Sequence, residues 1–175
     1  MKAKQLLSVA VLAAFFAAAF FGGCAKKEST PESVFVAGLW WDTKNLDGYH
    51  TFDEANALAA AHGKRLPTFK EFGQLWQLFQ RWDNNLKGRW FAENEADLGN
   101  PEKALFLPAL GYRFYENGMQ YRHGSSVDYW SGTQTENDHG YDRPYSCILY
   151  CDSSHSELNI WCDWENGCSV RCVAK

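Results

Sequence analysis

Apart from Cys24, the most reactive side chains of this sequence are five thiols, on Cys147, Cys151, Cys162, Cys168 and Cys172. Their spacing matches no Cys-x₂-Cys zinc knuckle. Residues four apart in one extended strand are separated by about 13 Å, whereas the Cα atoms of a disulfide lie within about 7 Å. Pairing of Cys147 with Cys151, or of Cys168 with Cys172, is therefore excluded if each pair shares a strand. Cross-strand disulfides, packed free thiols and a zinc site stay open.

Other catalytic and metal-binding patterns are missing from the sequence. Its histidines show no His-x-x-x-His spacing and are interpreted as solvated loop residues: His50, His62, His123, His139 and His155. The sequence also contains no Gly-x-Ser-x-Gly, phosphate loop or Walker motif. We therefore expect no enzymatic activity, no cofactor and no metal.

The N-terminus has the pattern of an export signal. Two lysines are followed by an apolar run over residues 6–21, and the ending Phe-Gly-Gly-Cys resembles a bacterial lipobox. Residues 1–23 are predicted to be a lipoprotein signal peptide, and Cys24 to be the lipidated first residue. A plain transmembrane anchor and simple secretion are the alternatives, but a span needs about 20 apolar residues. All three place the rest of the chain outside the cytoplasm.

A polar, proline-containing stretch follows the acylation site. Residues 24–33 are predicted to be a flexible tether, because they cannot bury apolar surface. About 140 residues remain, enough for one domain over residues 34–175. Loss of the signal peptide changes the net charge from −4 to −6, so nucleic acid is not an expected partner.

Two helices are predicted from their capping boxes. Thr51 and Glu54 begin the first, which Gly63 stops, and Thr68 and Glu71 begin the second. In the second helix Phe72, Leu75, Trp76, Phe79 and Trp82 fall on one apolar face. Residues 34–41 are predicted to form an opening strand.

Short strands are predicted after residue 87, over residues 88–92, 104–114, 128–132, 146–151, 158–162 and 168–172. Asn166-Gly167 indicates a turn between the last two strands. The loops over 93–102 and 115–127 are long and polar. The predicted fold class is α+β, with two helices packed on short, mostly antiparallel strands.

Four stretches resemble the Fibrobacter succinogenes major paralogous domain, a bacterial extracellular module with a C-type-lectin-like fold. They are residues 63–72 (GKRLPTFKEF), 107–113 (LPALGYR), 129–133 (YWSGT) and 167–173 (GCSVRCV). The resemblance spans about residues 36–173 and implies a C-type-lectin-like fold. The family commonly pairs a cysteine before the Leu-Pro block with one in its last strand. Ala60, Ala61 and His62 stand at the first place here, so Cys172 lacks that partner.

Residues 125–168 have an unusual composition, with eight acidic residues, one arginine and no lysine. The segment is rich in Ser, Asp, Tyr, Cys, Asn and His, which adenine-directed mutation of Asn codons by a diversity-generating retroelement would leave. Such side chains make adaptable contacts at low entropic cost. A diversified binding surface is one hypothesis, and ordinary polar loops are the alternative.

The predicted ligand-binding residues lie late in the chain. They are Tyr141, Asp142, Tyr145, Tyr150, Asp152, His155, Trp161, Asp163 and Trp164. Phe72, Leu75, Trp76, Phe79, Leu107, Trp130 and Val170 are predicted to be core.

The sequence thus predicts a non-enzymatic binding domain, lipid-anchored in the cell envelope at the outer membrane or cell surface. Its expected partners are the lipid membrane, through acylated Cys24, and an extracellular protein or glycan. A calcium-dependent glycan-binding module is one alternative, since Trp164-Glu165-Asn166 distantly echoes the sugar sites of calcium-dependent lectins. A Glu and an Asn alone do not supply the six to eight oxygens that calcium takes. A structural envelope lipoprotein is the other alternative.

Overall fold

The computed structural model describes residues 31–134, 145–154 and 156–175. It has a mixed α+β fold, as the sequence predicts. The helices are α1 (Phe52–Ala61) and α2 (Phe69–Trp76), with a short 3₁₀ helix at Glu95–Asp97. The strands before residue 100 are β1 (Ser33–Val36), β2 (Leu39–Asp42), β3 (Leu46–His50), β4 (Phe79–Asp83) and β5 (Gly88–Ala92). The later strands are β6 (Ala104–Pro108), β7 (Tyr112–Arg113), β8 (Gln120–Tyr121), β9 (Ser126–Gln134), β10 (Tyr145–Asp152), β11 (Ser156–Asp163) and β12 (Cys168–Val170).

A five-stranded sheet forms the centre of the fold, in the order β11-β10-β9-β12-β3. Its pairs are antiparallel except that β12 runs parallel to β9, with Ser169 opposite Tyr129. A three-stranded antiparallel sheet, β4-β5-β6, and the hairpins β1-β2 and β7-β8 complete the described strands. The first hairpin is joined to the end of the described chain, because Ala174 N donates to Trp40 O at 3.0 Å.

Both helices begin where their capping boxes predict. Thr51 Oγ1 accepts from Glu54 N while the Glu54 carboxylate accepts from Thr51 N, and Thr68 and Glu71 make the same exchange. After α1, Gly63 takes a φ of +70°, which a glycine adopts without strain. The block from Gly63 to Thr68 is therefore the connection that turns α1 into α2.

Glu71 is also held by an arginine. The Arg65 guanidinium donates to both carboxylate oxygens at 2.7 Å, and Thr68 N donates to Oε2 at 2.7 Å. Burial alone would raise the pKa of Glu71, but the hydrogen bonds from Arg65 and Thr68 outweigh it and hold that pKa below its usual value.

Replacing Glu71 with glutamine is expected to lower the free energy of unfolding by about 1–2 kcal/mol near neutral pH. Because the folded pKa is lowered, the stabilisation is present above the unfolded pKa and is lost as pH falls through the folded one. Urea unfolding of both proteins should show the difference shrinking at low pH. Glu95→Gln, in the exposed 3₁₀ helix, is the control, and a pH-independent difference would contradict this assignment.

Two cores lie on opposite faces of the five-stranded sheet. On β9, Val127 and Tyr129 face the larger core, which contains Phe72, Leu75 and Leu107. Trp130 faces the second core with α1 and β12, including Phe52, Ala55, Cys168 and Val170. The predicted core residues Phe72, Leu75, Leu107, Trp130 and Val170 are confirmed as buried, and Trp76 is half-buried.

The prediction of Phe79 as a core residue, on a helix that continues to Trp82, is wrong. Helix α2 ends at Trp76, and Phe79 begins β4, where it pairs with Ala92 and is 51% exposed. The apolar spacing after Trp76 fits a helix, but β5 offers a buried partner strand. Pairing with β5 therefore overrides the local pattern.

The single opening strand predicted over residues 34–41 is divided into two strands in the structure. Ala37 and Gly38 take φ values of +52° and +75°, so the chain turns between β1 and β2. Likewise the stretch 104–114 divides at Ala109–Gly111 into β6 and β7. The turn after β11 lies over residues 163–166, where Asn166 N donates to Asp163 O, and Gly167 is already bridged to Arg113. The chain therefore turns slightly before the predicted place, and β11 and β12 do not pair, since β12 lies between β9 and β3.

Residues 1–30, which include Cys24, lie outside the described residues. Within the ranges that are described, no helix is both long enough and apolar enough to span a membrane.

Candidate functional site

A cavity of about 170 Å³ lies between the β7-β8 hairpin and the β9-β10-β11 part of the sheet. We call it the hairpin cavity. Its lining residues come from six parts of the chain: Tyr112 and Phe114, Arg122, Asp128, Ile148, Cys162 and Asn166. A cavity of about 150 Å³ holds a benzene ring, so this space suits one ring-sized group.

Asp128 supplies the only buried carboxyl group among the lining residues of this cavity. It is 1% exposed and accepts a hydrogen bond from Ser126 Oγ on the same face of β9. Burial raises the pKa of Asp128, against opposing effects of the Ser126 hydrogen bond and the positive charge of Arg122. Raising the pKa in this way means that the ionised form is held at a cost in free energy.

An arginine lies between two tyrosine rings beside this carboxyl group. The Arg122 guanidinium carbon is 5.7 Å from the ring centroid of Tyr112 and 5.1 Å from that of Tyr150. Tyr150 is the cross-strand neighbour of Asp128. The site therefore combines flat aromatic walls, a cation and a carboxyl group within one small space.

The β7-β8 hairpin is fixed to the sheet by backbone hydrogen bonds. Gly111 N donates to Ser126 O at 2.9 Å, and Arg113 and Gly167 exchange two bonds of 2.7 and 2.8 Å. Gly111 has a φ of +66°, and a Cβ there would lie 2.0 Å from Tyr121 O. Only glycine allows the hairpin to fold back this closely over the cavity.

Two thiols lie together beside the cavity. Cys162 Sγ and Cys168 Sγ are 3.6 Å apart, both residues are buried, and Asn166 Nδ2 donates to Cys162 Sγ at 3.7 Å. Burial and the neighbouring Cys162 raise the pKa of Cys168 well above its ordinary value. Burial also raises the pKa of Cys151 to about 12 and that of Cys172 to about 11. Cys151, Cys168 and Cys172 are therefore poor thiolate nucleophiles.

Oxidation is expected to join Cys162 to Cys168 and to leave Cys151 and Cys172 as thiols. Disulfide exchange with oxidised glutathione would transfer the disulfide to the protein and release two reduced glutathiones, and it needs only a small approach of the two sulfurs. Peptide mapping without reduction, after refolding with oxidised glutathione, measures the pairing. A bridge from Cys151 or Cys172 would show this expectation wrong, and Cys162→Ser should abolish the expected peptide.

None of the predicted contact residues is among those that line the hairpin cavity, although Tyr150 lies beside it. Tyr150 contacts Arg122, and its hydroxyl donates to Asp152 Oδ2 at 3.1 Å. Asp163 instead caps a turn by accepting from Glu165 N, and Trp164 stacks on Phe52 of α1 with ring centroids 4.6 Å apart. Trp164 is thus partly a packing residue. Tyr145 and Trp161 lie in β10 and β11, while Tyr141, Asp142 and His155 lie outside the described residues.

Sequence reasoning missed the residues that build the cavity from the other side. These are Tyr112, Phe114, Arg122 and Asp128. Asp128 carried a signal, because it is acidic and directly precedes the apolar Tyr129-Trp130 pair. A charged residue inside a buried strand indicates either a paired charge or a site. The positions of Tyr112 and Arg122 depend on the fold of the β7-β8 hairpin, which the sequence did not reveal.

The Trp164-Glu165-Asn166 echo of a calcium site has a structural explanation. Asn166 is 8% exposed, and its Oδ1 accepts from Tyr115 N at 3.1 Å while its amide nitrogen faces Cys162. Among the residues that the structure describes, no group of three or more His, Cys, Asp or Glu side chains could hold a metal ion.

Comparisons of this chain with protein-family models, with curated proteins and with solved structures gave no significant match.

Proposed function

We propose that this protein is a lipid-anchored, extracytoplasmic binding module with a C-type-lectin-like fold, and that the hairpin cavity is its ligand site. The observation that carries the binding proposal is the buried carboxyl group of Asp128, which faces the cavity and has Ser126 as its hydrogen-bond donor. The lipobox-like ending at Cys24 supports the anchor. The four resembling stretches, together with two helices that precede most of the short strands, support the fold.

The cavity suits a ligand group of defined chemistry. A hydrogen-bond donor, either a hydroxyl or an ammonium, would reach Asp128, while a flat or aliphatic body would pack between Tyr112 and Ile148. An acceptor on the same ligand would face Arg122. One sugar ring, or one side chain of a protein partner, has the required size.

The free-energy cost of burying the ionised carboxyl group of Asp128 argues for a function. A buried ionised carboxyl group destabilises a fold unless its environment compensates, and the raised pKa shows that compensation is incomplete. Residues that cost stability are typical of functional sites. Asparagine has nearly the same shape and would avoid this cost, so a carboxyl group at position 128 is consistent with a role in ligand binding.

Asp128→Asn is therefore expected to raise the free energy of unfolding by about 0.5–2 kcal/mol near neutral pH while weakening ligand binding. Since the folded pKa of Asp128 is raised, the proton-linked stability of the wild type is present below the unfolded pKa and is lost as pH rises through the folded one. The advantage of the variant should thus grow with pH. Thermal unfolding across a pH series measures it.

A ligand screen completes this test. Free amino acids, primary amines and monosaccharides would be added in turn to the wild type and to Asp128→Asn, with calorimetry on any compound that raises the melting temperature. A bound ligand should lose about 10–100-fold in affinity in the variant. Asp97→Asn, remote from the cavity, is the matched control. A ligand that binds the wild type and Asp128→Asn with equal affinity would show that its binding site lies outside the hairpin cavity.

The anchor has a separate test. Metabolic palmitate labelling should label the wild-type protein but not the Cys24→Ala variant. The variant should also be absent from the membrane fraction. An unlabelled wild type whose leader remains uncut would refute the lipoprotein proposal without touching the cavity.

Retroelement diversification of residues 125–168 is also part of the proposal, but it is limited to positions outside the buried central strands. Much of the described part of this segment is buried, including Val127, Tyr129, Leu149 and Cys151, so variable positions would have to spare the central strands. A neighbouring reverse-transcriptase gene, and a near-copy of this DNA that differs only at adenines, would support diversification. Differences at other bases would exclude it.

A further inference from the structure

Two large aromatic side chains stand exposed on the β1-β2 hairpin. Phe35 is 53% exposed and Trp40 is 54% exposed, and they are direct cross-strand partners. Their ring centroids lie 5.4 Å apart with the planes tilted by 58°. The opposite face of the same hairpin is fully buried through Val34, Val36 and Trp41. The hairpin is thus a rigid platform that presents one aromatic pair outward.

The hairpin is firmly attached to the rest of the domain. Ala37 N, in the turn of the hairpin, donates to Glu93 Oε1 at 2.8 Å. Asp42 N donates to Cys172 O at 3.0 Å. The exposure of Phe35 and Trp40 is therefore a property of the folded domain and not of an unattached terminal segment.

We propose that this aromatic pair docks on the surface of the lipid bilayer that holds the acyl chains of Cys24. The inference rests on the proposed lipid anchor. Ser33, the first residue of β1, follows Cys24 by nine residues, which span at most about 30 Å when extended. As a flexible tether they would span about 17 Å on average. The hairpin is the described strand pair closest in sequence to the anchor, so it remains within reach of the membrane.

The chemistry of the hairpin fits the membrane interface. No charged residue lies between Glu32 and Asp42. Trp is enriched at the level of lipid headgroups, where its ring has an apolar body and a polar nitrogen. Two exposed aromatic residues bind weakly alone, but the anchor keeps their local concentration high.

A second cavity, of about 260 Å³, adjoins Trp40 and is suited to a headgroup. Its lining includes Lys64, Asp42 and Glu32, and so carries both signs of charge. Lys64 Nζ lies 2.5 Å from Asp42 Oδ1, while Glu32 is exposed. A zwitterionic phospholipid headgroup carries a phosphate and an ammonium group. The phosphate matches the positive charge of Lys64, and the ammonium group matches the negative charge of Glu32. Phosphatidylcholine vesicles are therefore the appropriate probe.

The test uses the full acylated chain reconstituted in phosphatidylcholine vesicles, with and without bromine on the lipid acyl chains. Bromine quenches only tryptophans that reach the bilayer. Because the chain has eight tryptophans, brominated lipid should remove roughly one eighth of the total emission. This loss should be absent in Trp40→Phe, which removes the reporter, and smaller in Phe35→Ser, which keeps it. Leu86→Ser, on the exposed β4-β5 turn, should behave as the wild type.

The outcomes separate this inference from the anchor. Mass spectrometry and vesicle flotation report acylation, whereas quenching reports docking. An acylated, floated protein whose Trp40 is not quenched would overturn docking, leave the anchor intact and assign the aromatic pair to a protein partner. A chain that is neither acylated nor floated would overturn both proposals.

Discussion

Trp130→Ala is expected to lower the free energy of unfolding by about 3–5 kcal/mol, because it empties the centre of the second core. Trp130 is completely buried, its ring meets that of Phe52 edge-on at 5.6 Å, and its Nε1 donates to His50 O at 2.6 Å. Domains of this size are stable by about 5–15 kcal/mol in total. The substitution should therefore remove a large share of that stability, as measured by urea unfolding.

A second variant keeps this prediction testable if the alanine protein does not fold. Trp130→Phe retains most of the ring but leaves the His50 carbonyl without its donor, so a smaller loss of about 1–2 kcal/mol is expected. Trp40→Phe, at an exposed position, is the matched control and should stay within about 0.5 kcal/mol of the wild type. Equal stability of Trp130→Phe and the wild type would show that the bond to His50 contributes nothing.

Arg171→Met is expected to cost about 3–4 kcal/mol, although methionine is apolar and of similar length. The guanidinium of Arg171 is 1% exposed and donates from Nε to Asn45 Oδ1 at 2.7 Å and from Nη1 to Asp42 O at 2.8 Å. Asn45 Nδ2 then donates to the hydroxyl of Tyr129 at 2.7 Å. Without the arginine, these partly buried acceptors lose their donors, and a buried unsatisfied group costs about 1–3 kcal/mol.

Arg171→Lys separates charge from geometry. Lysine keeps the positive charge but cannot reach two acceptors with a planar fork, so we expect it to recover only part of the loss. Arg113→Lys, on the exposed side of β7, should be nearly neutral. If Arg171→Met unfolded at the same urea concentration as the wild type, the hydrogen bonds around Asn45 would contribute nothing to stability.

Local signals in the sequence were sufficient for the starts of both helices and for several strands. The two capping boxes define helix starts with their own side chains, so α1 and α2 begin where predicted. Strand GRWFA was also predicted correctly as β5. These elements depend on neighbours within a few residues, and such patterns are visible without any tertiary information.

Errors arose where a distant partner decided the structure. Phe79 satisfies a helical spacing, yet its pairing with Ala92 places it in a strand. The pairing of β12 with β3 joins residues more than 100 apart in sequence, such as Cys168 and His50, and no local pattern predicts it. The hairpin cavity was missed for the same reason, because Tyr112, Asp128 and Asn166 meet only once the sheet has formed.

The position of β12 also has a consequence for biosynthesis. While residues 168–173 are still being translated, β3 and β9 lack the strand that lies between them, and the backbone groups on their facing edges stay unpaired. A nascent chain on the ribosome therefore cannot complete its central sheet early, and its contacts of high sequence separation form slowly. For the export proposed above, such delayed closure would leave the central sheet incomplete until the last strand has been translated.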